Sequence, residues 1–220
     1  MAKQNVLNRA TQDLTVDPGA AGDSWLQFDI NTTNEFRIGV DDDSGDAFKI
    51  SQGGALGAND TLIATAAGEV TFPLQPCFGA NNSATDSNVT GDGTLYGPIV
   101  FDNEVWDQNS DYNNGTGVFT ASVTGRYFFS SGLVLDGLLA THTSIIYRLN
   151  GSNRDAYGYG YNITAGMYAG LTYFNLSSFL DMDAADTAYI DIQVGGGTKV
   201  VDVYGAATVF YTAFCGYLAV

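Results

Sequence analysis

Positive charge is scarce. Eight Lys or Arg stand against 24 Asp or Glu in a 220-residue chain, a formal net charge of −16. A surface this acidic repels phosphate backbones and anionic headgroups, so nucleic acid is not expected among its partners. No apolar run approaches the roughly 20 residues that span a bilayer, so membrane insertion is not expected either. Histidine occurs once, at His142, which is too little for a multi-histidine metal site and gives no basis for a Ser-His-Asp triad. Two cysteines make no disulfide framework. Helix formers are sparse, and in residues 1–14, the one candidate helical stretch, Val6, Leu7 and Leu14 form no continuous stripe. The opening MAKQNVLNRATQDLTVDPGAAG is polar and lacks an apolar h-region, so no secretory signal and a cytosolic origin are expected. The sequons at Asn31, Asn88 and Asn162 then read as accidents of an Asn- and Thr-rich surface.

What is abundant points to β structure. The chain holds 27 Gly, 13 Tyr and 13 Phe, is 45% hydrophobic, and has a mean hydropathy of zero, which suits a packed core preceded by a small appendage. Short strands are expected at 25–30, 35–40, 47–51, 62–66 and 69–72, divided by NTTN, DDDSGD and QGGALGAND. Five such strands would be marginal alone, so an outside surface is expected to cover them. After Pro73 and Pro76 the strands lengthen: 97–101, 118–122, 126–135, 144–149, 156–162, 168–174, 188–194, 199–203 and 209–218. In GRYFFSSGLVL, Tyr127, Phe129, Leu133 and Leu135 share one face with Ser131 among them. Long strands without intervening helices imply antiparallel pairing. The fold class is all-β, an antiparallel two-sheet sandwich behind a short β stalk.

The stretch FDNEVWDQNSDYNNGTGVFTASVTGRYFFSS (101–131) carries a specific spacing of aromatics. Phe101, Asp107, Tyr112, Phe119, Gly125, Tyr127 and Phe129 occupy the places of the C1q-like domain motif, and the segment resembles that family. Ser131 stands where a final aromatic is usual. FLDMDAADTAYIDI (179–192) resembles the family's late strand pair, with Ala185 in place of a Gly. AFCGYLAV (213–220) resembles its closing strand, with Phe214, Gly216 and Leu218 on one face and Cys215 for Ser. The resemblance covers about 140 residues and implies the jelly-roll fold and homotrimeric assembly of the tumour necrosis factor superfamily. Within that frame Gly125 permits a tight turn, Phe119, Tyr127 and Phe129 point inward, and Gly216 admits another backbone. More loosely, residues 23–72 resemble segments of bacteriophage tail-fibre and related virion proteins that form a trimeric stalk.

Candidate chemistry is thin. His142, in LLATHTS, reads as a surface loop residue. The carboxylates of a glycosidase pair would have to come from turn clusters: Asp41, Asp42, Asp43 and Asp46; Asp107 and Asp111; or Asp181, Asp183 and Asp186. Aspartate favours turns through its own hydrogen bonds, so no enzyme activity is expected. DDDSGD is the best metal candidate, with Asp41, Asp43 and Asp46 as oxygen ligands for calcium. It lacks the full twelve-residue loop and a closing Glu, and reads first as a hairpin turn. Tyr157, Tyr159 and Tyr161 alternate with Gly158 and Gly160; inner-sheet packing, a trimer contact and a sugar-stacking platform are the three readings. In a jelly roll Cys77 and Cys215 would fall on neighbouring first and last strands; free thiols are the default and a disulfide is conceivable. GGALGAND and VGGGTK precede no helix and cradle no phosphate.

The expectation is a structural and adhesive virion protein: a homotrimer with an attachment segment at 1–22, a β stalk at 23–72 and a C1q-like head at 73–220. Its partners would be capsid or tail proteins through 1–22 and a host surface receptor such as a glycan. Tail fibre, capsid fibre and capsid decoration are not separated at this stage. The alternative is a non-viral soluble C1q-like binding protein or lectin.

Overall fold

The computed structural model describes residues 6–8, 13–16, 22–30, 34–160 and 170–220. The chain divides into two compact units, 1–75 and 76–220. Among the described residues no helix is long and apolar enough to cross a membrane.

The first unit opens with β1 (Val6–Asn8) and β2 (Asp13–Thr15), paired antiparallel, so part of the stretch weighed as a helix is a β ladder. An antiparallel meander follows: β3 (Ser24–Ile30), β4 (Asn34–Asp41), β5 (Ala47–Gln52), β6 (Asp60–Ala64) and β7 (Val70–Thr71). Alternation sorts its side chains onto two faces. Ala47, Lys49 and Ser51 of β5 are buried on one face, beneath a loop whose Leu56 is also buried. Lys49 Nζ sits 2.8 Å from Asp41 Oδ2 and 3.1 Å from Asp60 Oδ2. Asp60 also accepts from the Ser51 hydroxyl and from the Gly57 N–H at 3.0 Å. A buried cation is tolerated there because two carboxylates neutralise it and Asp60 is bonded further by Ser51 and Gly57. On the same side the Arg37 guanidinium lies 4.2 Å from the Trp25 ring centroid.

The second unit runs through β8 (Cys77–Asn81), β9 (Asp86–Thr90), β10 (Leu95–Tyr96), β11 (Asn103–Asp107), β12 (Tyr112–Asn113), β13 (Val118–Thr120), β14 (Gly125–Asp136), β15 (Ser144–Gly151), β16 (Ala156–Gly160), β17 (Thr172–Met182), β18 (Thr187–Gly195), β19 (Val201–Val203) and β20 (Ala213–Leu218). Among the described residues they form two sheets. One has the order β12-β13-β18-β15-β16, with β10 also on β18. The other runs β11-β8-β20-β14, with β17 along the far edge of β14 and β19-β9 continuing beside it. This is a jelly-roll sandwich. The segment 97–101 is not a strand; pairing begins at Asn103, beyond the Pro98 and Ile99 that the sequence suggested. The strand expected at 168–174 begins at Thr172 and reaches Met182.

Aromatics fill the space between the sheets. Phe78 stacks on Tyr112 at 4.7 Å and on Phe119 at 5.2 Å, and meets Phe214 edge-on at 5.0 Å. Phe119 meets Tyr127 and Phe129 edge-on, each at 5.3 Å. Each such pair adds about 0.5–1.5 kcal/mol beyond area burial. Where the motif's last aromatic is missing, Ser131 is buried and donates to the Ala213 carbonyl at 2.7 Å. The room it leaves is taken from the facing sheet by Tyr147, 1% exposed, whose phenol burial pushes well above its ordinary value. Tyr147 Oη lies near Ser131, yet it makes no hydrogen bond of acceptable geometry. A buried unpaired hydroxyl is a liability, so Tyr147→Phe should be neutral or stabilising by about 1 kcal/mol in chemical denaturation. A loss of that size instead would show that the hydroxyl is paired.

His142 corrects the surface-loop reading. It is 1% exposed. Its Nδ1 accepts from the Leu139 N–H at 2.9 Å, and Nε2 lies 3.0 Å from the Thr198 carbonyl. Glycine makes the space: a Cβ at Gly197 would stand 2.2 Å from His142 Cδ2. The residue ties three loops together at one end of the sandwich and is unavailable for surface chemistry.

Candidate functional site: the outward aromatic face of the head

Most of the motif residues build the core. Phe101, Phe119, Tyr127, Phe129 and Phe214 are fully buried. Asp107 works through the backbone: its two carboxylate oxygens accept the N–H groups of Asp111 (3.1 Å) and Tyr112 (2.8 Å). That turn sends Tyr112 inward, where its hydroxyl meets the Phe101 N–H at 3.2 Å. The spacing of Phe101, Asp107 and Tyr112 is thus one folding device. Gly125 is needed for space rather than for turn conformation, since a Cβ there would stand 2.7 Å from the Val220 carbonyl and 2.5 Å from Leu218 Cδ1. Gly216 makes room for a ring, not a backbone: a Cβ would lie 2.5 Å from Phe129. Leu218 packs against the core edge.

The proposed calcium ligands are not brought together. Asp41 is buried and held by Lys49, whereas Asp43 and Asp46 are exposed around the 3-10 turn Asp42–Ser44 and its Gly45 cap. Among the described residues no group of three His, Cys, Asp or Glu could hold a metal ion. The carboxylates of the head serve structure in a similar way. Asp111 lines an open hollow of about 570 Å³ together with Tyr112 and Ser122. Asp111 is pushed up by desolvation, but Asn109 and Ser122 bond it, and Asp107 is committed to the backbone.

Tyr157 and Tyr159 are not core residues. They lie on the outward face of β16, 48% and 71% exposed, with centroids 6.2 Å apart. Arg148 Cζ is 5.9 Å from the Tyr157 ring and is fixed by a bidentate pair with buried Asp191 at 2.7 and 2.8 Å. Tyr161 lies outside the described residues. Cys77 and Cys215 are free and stand diagonally on β8 and β20, with Cys215 opposite Gly79 and Cys77 opposite Tyr217. Burial, then the neighbouring Cys77, raises the Cys215 thiol above its ordinary value, which disfavours the reactive thiolate.

The larger aromatic surface is one the sequence reading missed. On the outward face of the second sheet, Phe128 of β14 is paired in register with Phe179 of β17 on one side and Tyr217 of β20 on the other. The ring centroids are 5.1 and 5.5 Å apart. Phe179 is 61% exposed and Tyr217 46%. Toward β8 and β11 the same face carries Trp106, stacked on Phe210 at 5.9 Å; Gly79 leaves the room for its indole. Tyr173 and Tyr211 extend it at the other end. Exposed aromatics this contiguous mark an interaction surface. The signal lay in the neighbours of the core-facing residues: Phe128 beside Phe129, Phe179 beside Leu180, Tyr217 beside Gly216.

The two sheets and the aromatic core between them define the second unit as a jelly-roll domain. Residues 81–219 match the C1q domain, more than half of the chain, and the chain belongs to the C1q domain family. C1q-like domains are generally non-enzymatic binding domains that typically form homotrimers. Among solved structures, the globular domain of zebrafish complement 1qA protein is similar: 19% identity over 66% of this chain and 98% of that one, TM-score 0.46. Murine APRIL at pH 5.0 is similar at 10% identity over 66% and 99%, TM-score 0.42. No curated protein matches the chain.

Proposed function

We propose that the protein is a homotrimeric, non-enzymatic binding protein whose heads associate through the aromatic face of β8, β20, β14 and β17. The observation that carries this is the Phe128–Phe179–Tyr217 cluster, two of whose rings stand nearly half or more exposed in a single chain. Covering such rings removes apolar area from water at about 25 cal/mol per Å². Closed symmetry satisfies all copies at once and leaves no open surface to propagate. Three heads on one axis bind a repetitive surface with avidity.

The finer reading is adhesion or decoration on a virion. It is supported by the resemblance of residues 23–72 to phage fibre segments, with 1–22 as the attachment segment and a host surface glycan as a receptor class. The soluble lectin alternative draws on Tyr157 and Tyr159, exposed beside a fixed Arg148. Quantitative mass spectrometry of purified particles decides between them. The virion reading expects the chain in particles at copy numbers divisible by three. Its absence from particles, with glycan binding by the free protein lost in Tyr159→Ala, would favour the lectin.

A further inference from the structure

The first unit leaves one complete sheet face without cover. In β3 to β7 the apolar residues opposite the Lys49 side are Leu26 and Phe28; Phe36, Ile38 and Val40; Phe48 and Ile50; Leu62 and Ala64; and Val70. The register sets them in cross-strand rows: Leu26–Ile38–Ile50–Leu62 and Val40–Phe48–Ala64–Val70, with Phe28 opposite Phe36. Phe28 is 59% exposed, Val70 54% and Phe36 45%. None of these side chains is charged, although residues 22–75 contain nine Asp or Glu with only Arg37 and Lys49. The unit therefore keeps its charge in turns and on the other face, and holds this one uncharged and mostly apolar, with Ser24 and Gln52 at its margins.

We propose that this face is a second self-association surface, occupied by the same face of other copies of the chain. The proposal rests on the trimer reading above and names the partner of the first unit within it. Size argues for that occupant. Five strands about 4.8 Å apart, roughly six residues long at about 3.3 Å each, give a face on the order of 20 Å by 20 Å. That is about 400 Å² in plan, well short of the roughly 800 Å² per partner of a stable interface between separate proteins. A freely diffusing partner would be held weakly. Copies already joined through their heads face one another at about millimolar effective concentration, where a small face suffices. The unit follows directly into the head at Pro76, so each trimer delivers three identical faces together. Charge agrees: an uncharged face lets two acidic units meet without bringing like charges into direct contact.

Site-directed cross-linking of the full-length chain tests this. In a Cys77→Ser, Cys215→Ser background, Ile38→Cys places a thiol at the centre of the face, Val40→Cys is a second probe, and Asp43→Cys in the exposed turn is the control. Under copper phenanthroline and oxygen, two thiols lose their protons and two electrons to oxygen and form one disulfide. The expected result is covalent pairs for Ile38→Cys or Val40→Cys at least tenfold faster than for Asp43→Cys, in protein that light scattering shows to be trimeric. A trimer in which neither probe cross-links faster than the control overturns the second surface and leaves the head trimer standing. A monomeric mass overturns both.

Discussion

Phe179→Asp should convert the assembled protein into soluble single chains. The substitution removes a ring from the centre of the proposed interface and would place a carboxylate, or its three symmetry copies, where water is excluded. Truncating an interface anchor typically costs about 2–4 kcal/mol, and an unpaired buried charge costs several more. The scattering mass should fall from about 70 to 23.3 kDa. Folding of the head should survive, because Phe179 is 61% exposed in the single chain and belongs to no buried cluster. The far-ultraviolet circular dichroism and the head's thermal transition should stay unchanged. Tyr159→Asp separates the two aromatic surfaces. A trimer that survives Tyr159→Asp and is lost in Phe179→Asp puts the contact on the β14–β17–β20 face; the reverse puts it on β16.

Lys49→Ala should unfold the first unit while leaving the head folded. Removing the ammonium leaves Asp41 and Asp60 buried together without a cation, a change that costs about 3–5 kcal/mol in comparable pairs. A five-stranded meander of this size has little stability beyond that. Native-state hydrogen exchange should therefore lose its protection across β3 to β6 and retain it in β14. The pH dependence has a definite sign. Desolvation opposes the charge on Asp60, but hydrogen bonds from Ser51 and Lys49 outweigh it and hold the carboxyl below its ordinary 3.8. Desolvation likewise opposes the Lys49 charge, and the bonds to Asp41 and Asp60 outweigh it and raise the ammonium above 10.5. The wild-type triad thus contributes stability above pH 3.8, and that contribution disappears as acid titrates Asp60 through its depressed folded value. It is also lost above pH 10.5, as Lys49 gives up its proton. The variant should behave oppositely at the acid end: with its cation gone, protonating the stranded Asp60 carboxylate relieves it, so it should gain stability as pH falls toward 4. A variant with unaltered protection at pH 7 would remove the triad from the list of things holding this unit together.

Much of the head was legible because its motif is a folding device. The distance from Phe101 to Asp107 to Tyr112 is set by one turn, whose carboxylate bonds two backbone N–H groups, and a fixed spacing of that kind survives in sequence. The aromatic face was not legible, because β14 reads Tyr-Phe-Phe with apolar rings pointing both ways. Alternation identifies two faces but does not say which of them a neighbouring copy covers. Lys49 was passed over for a related reason. Period-2 reading puts it on the side of Ala47 and Ser51, and only the fold shows that side to be buried. Its partner Asp41 was consequently read as part of a solvated hairpin turn and weighed as a calcium ligand. His142 gave a weak signal in the glycines at 91 and 197, far apart in the chain, which make its room only after three loops converge. The strand at 97–101 and the first four residues of the strand at 209–218 were overcalled from β-rich composition where the chain runs as irregular structure.

Sedimentation equilibrium of the purified full-length chain at micromolar concentration is the most direct measurement. Three times 23.3 kDa, about 70 kDa, is the mass expected if the exposed rings of Phe179 and Tyr217 close against other copies. A single stable species of 23.3 kDa would mean that the aromatic face stays in water, and the binding role proposed for a three-headed assembly would go with it.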